Sequence, residues 1–192
     1  MRYLLSPTQK KQLAVFLASH PVIAFDFDGT LAPIVREAGE AKMRDSTRRL
    51  LKRLCCLHPV AVITGRARRD ILPHLKGLPL AQIIGNHGVE WSLLTPGMLK
   101  MRLQVRAWKP LLAKAIRDLP GVRLEDKKLS LSVHYRDSER PSDALTQITL
   151  AASQLMGART IGGKKVVNVL PEDIEGKGDA IRRLKKTHGR DC

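Results

Sequence analysis

The apolar positions of this chain fall into short continuous runs separated by stretches of helical period. Pro21-Val22-Ile23-Ala24-Phe25, Pro59-Val60-Ala61-Val62-Ile63 and Gln82-Ile83-Ile84 have strand length. Such runs suit parallel strands buried on both faces. Between them, Asp45 or Ser46 opens a helix carrying Leu50, Leu51, Leu54 and Leu57, and residues 67–76 predict another, broken near Pro73. Upstream, Ser6-Pro7-Thr8-Gln9 reads as a helix start, with Ser6 as N-cap, Pro7 in the first turn and Gln9 closing a capping box ahead of Leu13, Phe16 and Leu17. Strands alternating with helices predict right-handed βαβ units and an α/β, Rossmann-like, doubly wound parallel sheet. In that architecture chemistry collects at the carboxyl ends of the strands, and all three runs end there in polar segments.

From residue 89 the pattern changes. Val89 to Leu94 reads as a strand, Val105 to Leu119 as a helix, Gly121 to Leu124 and Leu129 to Tyr135 as strands, and Pro141 to Met156 as a helix. Arg159-Thr160-Ile161, Gly162-Gly163 and Lys165 to Leu170 predict a hairpin. An α+β segment inserted between βαβ units behaves as a second small domain, expected at 89–161, with 1–88 and 162–192 forming the core. After it, Gly176-Lys177-Gly178 opens a basic helix.

Composition narrows the class. The 192 residues are 43% apolar and 4% aromatic, which suits one globular domain with a small insertion and rules out disorder. No apolar run approaches bilayer thickness, and the N-terminal residues do not read as a signal peptide. A cytoplasmic location without membrane association is therefore expected. The three cysteines, Cys55, Cys56 and Cys192, lack metal-ligand spacing, and the first two read as small core residues. Thirty-four basic against eighteen acidic residues give a net charge of +16, which attracts anions without choosing among them. Two basic clusters, Arg48, Arg49, Lys52 and Arg53, then Arg182, Arg183, Lys185 and Lys186, read as solvated helix faces. Aromatic residues for base stacking are few, so no nucleic-acid partner is expected.

Candidate chemistry concentrates in Asp26-Phe27-Asp28-Gly29-Thr30-Leu31-Ala32-Pro33, which places two carboxylates two residues apart beyond a buried strand. In an extended segment both project to one side. Asp26 can act as a nucleophile on phosphorus, while Asp28 donates a proton to the leaving oxygen and later activates water. Gly29 permits a sharp exit that brings backbone N–H groups toward a phosphate.

This octet resembles the first motif of the haloacid dehalogenase superfamily of phosphotransferases, and the remaining motifs narrow the likeness to trehalose-6-phosphate phosphatases. Val62-Ile63-Thr64-Gly65-Arg66 resembles the second motif, Gly176-Lys177-Gly178-Asp179-Ala180 the third, and Gly85-Asn86-His87-Gly88 a family-specific element. Leu124-Glu125-Asp126-Lys127-Lys128 with Val133-His134-Tyr135-Arg136 is similar to the cap signature. The resemblance implies that Thr64 holds a phosphoryl oxygen and Lys177 stabilises an aspartyl-phosphate at Asp26. It places Gly65, Arg66, Asn86, His87, Glu125, Lys127, Arg136 and Asn168 in substrate binding, with Glu125 and Lys127 on sugar hydroxyls. A hard cation, Mg²⁺, held by Asp26 and the backbone carbonyl of Asp28, suits phosphoryl transfer because that chemistry is mainly charge stabilisation.

The implied function is a Mg²⁺-dependent phosphatase releasing trehalose and phosphate from trehalose 6-phosphate, acting as a monomer on a small sugar phosphate. Two departures keep alternatives open. Asn168 stands where the family commonly has a glutamate, which leaves room for a different sugar phosphate. The family's fourth, acidic motif is not found before Cys192. The expected core therefore lacks its C-terminal part, and a weak or inactive relative that only binds sugar phosphate is the other reading.

Overall fold

In the computed structural model, residues 6–35, 38–92, 95–173 and 176–188 are described. The chain divides into two compact units, one formed by residues 1–88 and 176–192, the other by 89–175.

In the first unit, α1 (Pro7–Ala18) precedes β1 (Ile23–Phe25), α2 (Asp45–Leu57), β2 (Val60–Ile63), α3 (Arg68–Leu75) and β3 (Gln82–Ile84). The strands form a parallel sheet in the order β1-β2-β3, with Phe25 opposite Val62 and Val62 opposite Ile83. Parallel neighbours need crossover connections, which α2 and α3 provide. The register brings Asp26, Thr64 and the turn after Ile84 to the same end of the sheet. Val60, Val62, Ile71, Leu75 and Leu51 pack around Phe27, which is fully buried in the loop after β1.

Several local expectations change. Only β2 is buried along its whole length. β1 is an edge strand among the described residues, so Ala24 stays exposed and Ile23 and Phe25 are half-buried. Ser6 is the N-cap of α1, but its side chain accepts no capping hydrogen bond. Leu50 and Leu57 lie on the open side of α2, and Pro73 sits inside a continuous α3. Cys55 packs against the core, whereas Cys56 is exposed; Cys192 lies outside the described residues.

The second unit is an antiparallel sheet in the order β4-β5-β7-β6, made by β4 (Arg123–Asp126), β5 (Leu131–His134), β6 (Ala158–Gly163) and β7 (Val166–Pro171). Its helices are α4 (Pro96–Ala115) and α5 (Pro141–Ser153). Alternation sends Leu131, Val133, Val167 and Val169 to one face, where they pack with Trp108, Leu112, Ile148 and Ala152 of the helices. The opposite face carries Glu125, Ser132 and Asn168, and beside them Leu170 and Ile161 pack with Val89, Met98 and Leu129.

Two boundaries differ from the sequence expectation. Residues 162–175 belong to this unit rather than to the core, because β7 is an interior strand bonded to both β5 and β6. No strand covers 89–92, and 93–94 lie outside the described residues; Val89 instead buries against Met98, Leu129 and Leu170. Helix α4 starts nine residues earlier than expected, at Pro96 against Val105, with Thr95 as N-cap accepting the Met98 N–H at 3.3 Å. Among the described residues no helix is long and apolar enough to cross a membrane.

Gly121 has φ +74°, and an added Cβ there would meet the Asp137 carbonyl oxygen at 2.0 Å. Gly121→Ala is expected to destabilise the second unit by about 2 kcal/mol or more. Both tryptophans, Trp91 and Trp108, lie in that unit, so the urea midpoint of tryptophan fluorescence measures it directly. An unchanged midpoint would contradict the packing described.

Candidate active site

The site of the first unit starts at the end of β1. Asp26 turns one carboxylate oxygen back onto the Phe27 N–H at 2.8 Å, and the other accepts from Lys177 Nζ at 2.8 Å. The side chains of Asp26 and Lys177 are 42% and 39% exposed, so solutes reach the pair. Asp28 is held differently. The Arg66 guanidinium grips it with both prongs, Nε to Oδ2 at 2.9 Å and a terminal nitrogen to Oδ1 at 2.6 Å. Arg66 itself lies over the Phe27 ring at 5.1 Å and is largely buried.

The loop that carries these acids is tied by its own backbone. The Phe27 carbonyl accepts from the N–H groups of Leu31 and Ala32, at 2.9 and 3.0 Å, and Gly29 N–H donates to the Ala32 carbonyl at 2.7 Å. Phe27 anchors this loop in the core, which fixes the direction of the acids on either side of it.

Thr64 follows β2 and is fully buried; its hydroxyl oxygen accepts the Arg66 N–H at 3.2 Å. The turn after β3 is stitched to the turn after β2: Asn86 N–H donates to the Arg66 carbonyl at 2.7 Å and His87 N–H to the Thr64 carbonyl at 2.9 Å. Asn86 is also fully buried and, like His87, has positive φ. The His87 ring packs on Gly65, where a Cβ would meet ring atoms at 2.6 to 3.2 Å.

Gly88 explains how Lys177 arrives from so far along the chain. With φ +116°, it lets the backbone of Gly176 and Lys177 approach so closely that a Cβ would sit 2.6 Å from the Gly176 carbonyl oxygen. Helix α6 (Lys177–His188) therefore begins against this turn, and Asp179 caps it by accepting the Gly176 N–H at 2.9 Å. That bond, together with the Arg182 ion pair, holds the Asp179 carboxyl below its usual range.

The Glu125 face of the second unit's sheet carries its own cluster. Cross-strand pairing places Glu125, Ser132, Asn168 and Ile161 in one row. Glu125 meets His134 Nε2 at 2.7 Å and Lys127 Nζ at 3.8 Å. Asn168 is spent internally: its side-chain carbonyl accepts the Ser132 hydroxyl at 2.6 Å and its amide donates to the Ile161 carbonyl at 3.2 Å. Arg136 reaches the Lys164 carbonyl at 3.5 Å.

The structure thus brings Asp26, Asp28, Thr64, Gly65, Arg66, Asn86, His87 and Lys177 together in one unit, and Glu125, Lys127 and Asn168 on one sheet face of the other. Sequence reasoning gives Arg66 to substrate and misses its clamp on Asp28. It also misses His134 as a partner of Glu125, although two-residue periodicity from Ser132 points to it.

A strand-end aspartate pair backed by a buried threonine and a helix-start lysine, on a parallel α/β core with an inserted α+β unit, defines a haloacid dehalogenase-like protein. More narrowly, residues 24–192 match the model of the trehalose-phosphatase family, and the chain belongs to that family. A trehalose-phosphate phosphatase of Mycobacterium leprae is 31% identical over 174 residues, which cover 85% of this chain and 40% of the relative. One from Mycobacterium marinum is 32% identical over 171 residues, covering 84% and 43%. The chain spans less than half the length of these two curated relatives. Among solved structures, the C-terminal domain of Candida albicans trehalose-6-phosphate phosphatase is similar in fold, with a TM-score of 0.74 at 23% identity over 89% of this chain and 65% of that one.

His74 of α3 packs against this cluster, its ring tilted against that of Phe27 at 5.6 Å between centroids. Burial pushes its pKa down and the Arg66 charge adds to this, against smaller upward pulls from Asp28 and a hydrogen bond with the Ala41 backbone. A lowered histidine stabilises the fold above its unfolded value of roughly 6.5, and that contribution is lost as pH falls through the lowered folded value. Arg66→Met is expected to raise the His74 pKa, as followed by NMR titration of its ring protons, since it removes a nearby cation and leaves Asp28 unneutralised. A value that stays put or falls would contradict the charge arrangement.

Proposed function

We propose that this protein is a sugar-phosphate phosphatase acting on trehalose 6-phosphate, with Asp26 as phosphate acceptor. The observation that carries the reading is the separation of two neighbouring carboxylates onto different cations, Asp26 onto Lys177 and Asp28 onto Arg66. This gives them different tasks. Asp26 is half-exposed and turned toward a lysine, which offsets the charge of an approaching phosphate. Its carboxylate oxygen attacks phosphorus, the bond from phosphorus to the sugar oxygen breaks, and the leaving oxygen takes a proton from Asp28. Asp28 then removes a proton from the water that opens the aspartyl-phosphate. The Arg66 clamp holds both oxygens of Asp28, so proton donation in the first step requires one of its two bonds to give way.

A phosphate dianion approaching Asp26 meets a carboxylate paired with Lys177, and a bound cation would offset the repulsion that remains. The donors at hand are hard oxygens, and one or two carboxylates completed by water and phosphate suit Mg²⁺. Asp26 and the main-chain carbonyl of Asp28 would hold it, and when bound it neutralises charge on the transferring phosphoryl group.

On the second unit, Glu125 and Lys127 are the groups proposed for sugar hydroxyls, with His134 holding the Glu125 carboxylate in place. Asn168 and Asn86 act as positioning residues, since their side chains are buried. The family and the relatives' names support trehalose 6-phosphate as substrate, and the charge-paired Asp26 supports the chemistry. Beyond these, a cytoplasmic, monomeric enzyme without nucleic-acid or membrane partners remains the expected setting.

The alternative reading is a protein that binds sugar phosphate with slow turnover.

Phosphate release from trehalose 6-phosphate with Mg²⁺ separates the two. Release should fall to background in Asp26→Asn, and Lys127→Ala should raise KM about tenfold with a smaller change in kcat. Undiminished turnover in Asp26→Asn would overturn the mechanism. Binding without release by the folded chain would establish the second reading.

A further inference from the structure

Strand alternation divides the segment Glu125-Asp126-Lys127-Lys128 between the two faces of its sheet. Glu125 pairs with Ser132 on one face, whereas Asp126 pairs with Leu131, whose side chain belongs to the helix-covered core. The proposed phosphatase chemistry uses Glu125 and Lys127 and leaves Asp126, Lys128 and the helix beside them without a task.

That helix is unusual in charge. Over its 20 residues α4 carries Lys100, Arg102, Arg106, Lys109 and Lys114 and no carboxylate. Arg102, Arg106 and Lys109 stand four and three residues apart, so they share a face and repel one another, which costs helix stability. Leu99 and Leu103 lie on the same face, 54% and 68% exposed. This face and the β4–β5 turn border an open cleft of about 730 Å³ lined by those three cations, the two leucines and Lys128. Its size is in the range of small-molecule sites, roughly 300 to 1,000 Å³.

Asp126 is the one acid in the lining, and it is already engaged. Its Oδ2 meets Lys109 Nζ at 3.1 Å and Lys128 Nζ at 3.5 Å, and its Oδ1 accepts the Lys128 N–H at 2.8 Å. Burial works against its ionised form, but these bonds outweigh it and keep its pKa low. Arg102 and Arg106 have no carboxylate partner among the described residues. The cleft therefore holds four cations against one anion, beside an apolar floor open to water.

We propose that this cleft is a ligand site for a small organic oxyanion with an apolar body, its phosphate or sulfonate group taken by Arg102 and Arg106 and its body covering Leu99 and Leu103. Two guanidinium forks match a tetrahedral oxyanion better than ammonium groups do. An apolar body removes the two leucines from water, which a bare phosphate cannot do. The concavity suits a compact molecule rather than a flat lipid surface. The site is independent of phosphatase activity.

Fluorescence titration of the full chain with 8-anilinonaphthalene-1-sulfonate, an aromatic oxyanion that no phosphatase consumes, tests this. One site per chain is expected, weakened at least tenfold in the double variant Arg102→Ala/Arg106→Ala and similarly in Leu103→Asp. Asp126→Asn, which frees Lys109 and Lys128, should tighten binding severalfold, and inorganic phosphate should compete only at far higher concentration. Circular dichroism melts superimposable on the parent chain qualify each variant as folded. Unchanged affinity in the folded double variant would overturn the proposal. Loss in the double variant with full retention in Leu103→Asp would overturn the amphipathic ligand and leave a bare anion patch.

Discussion

Two carboxylates separated by a single residue repel each other, and the first unit is arranged around the two cations that draw them apart. Lys177 comes from 151 residues downstream to reach Asp26, and Arg66 from 38 residues downstream to reach Asp28. Neither pairing is local, so the site exists only when the chain on both sides of the inserted unit has folded together. Phe27 sits between the acids, buried under Arg66, and converts core packing into carboxylate orientation. Gly88 does the same for the lysine, because only a residue without Cβ lets the start of α6 lie against the turn after β3. Charge separation, core packing and one close backbone approach are thus a single constraint seen at three places.

The second unit rests on a simpler rule. Its sheet has one face filled by α4 and α5 and one that carries Glu125, Ser132 and Asn168 beside the small Leu170 cluster, and the two-residue period decides which side each residue serves. Consecutive positions in one short segment, Glu125 through Lys128, consequently face different surroundings. Ser132 and Asn168 satisfy each other in the same row as Glu125.

Much of this is legible in the amino-acid sequence because it is local. The β1, β2 and β3 runs, the α2 and α5 periodicities and the β6–β7 hairpin are written in continuous stretches, and the structure keeps them with small shifts. What depends on partners elsewhere in the chain is not. The run at Val22 to Phe25 looks like a doubly buried strand, yet β1 is an edge among the described residues, and edge or centre is decided by strand order rather than by composition. The expected boundary at 162 puts β7 in the core, but its bonds go to β5 and β6. The N-terminal half of α4 escapes notice because its exposed leucines and cations blur the amphipathic period, although Thr95-Pro96 marks its start. Within the site, residue types reveal which groups matter, while the Arg66 clamp on Asp28 and the His134 contact with Glu125 emerge only from the fold.

The role of Asp26 as acceptor is tested most directly by ¹⁹F NMR of the chain with beryllium fluoride and Mg²⁺, which forms a stable mimic of an acyl phosphate on a reactive aspartate. Distinct bound resonances are expected from the parent chain and from Asp28→Asn, and none from Asp26→Asn. Bound resonances that persist in Asp26→Asn and vanish in Asp28→Asn would assign the acceptor to the wrong carboxylate and contradict the division of labour set by Lys177 and Arg66.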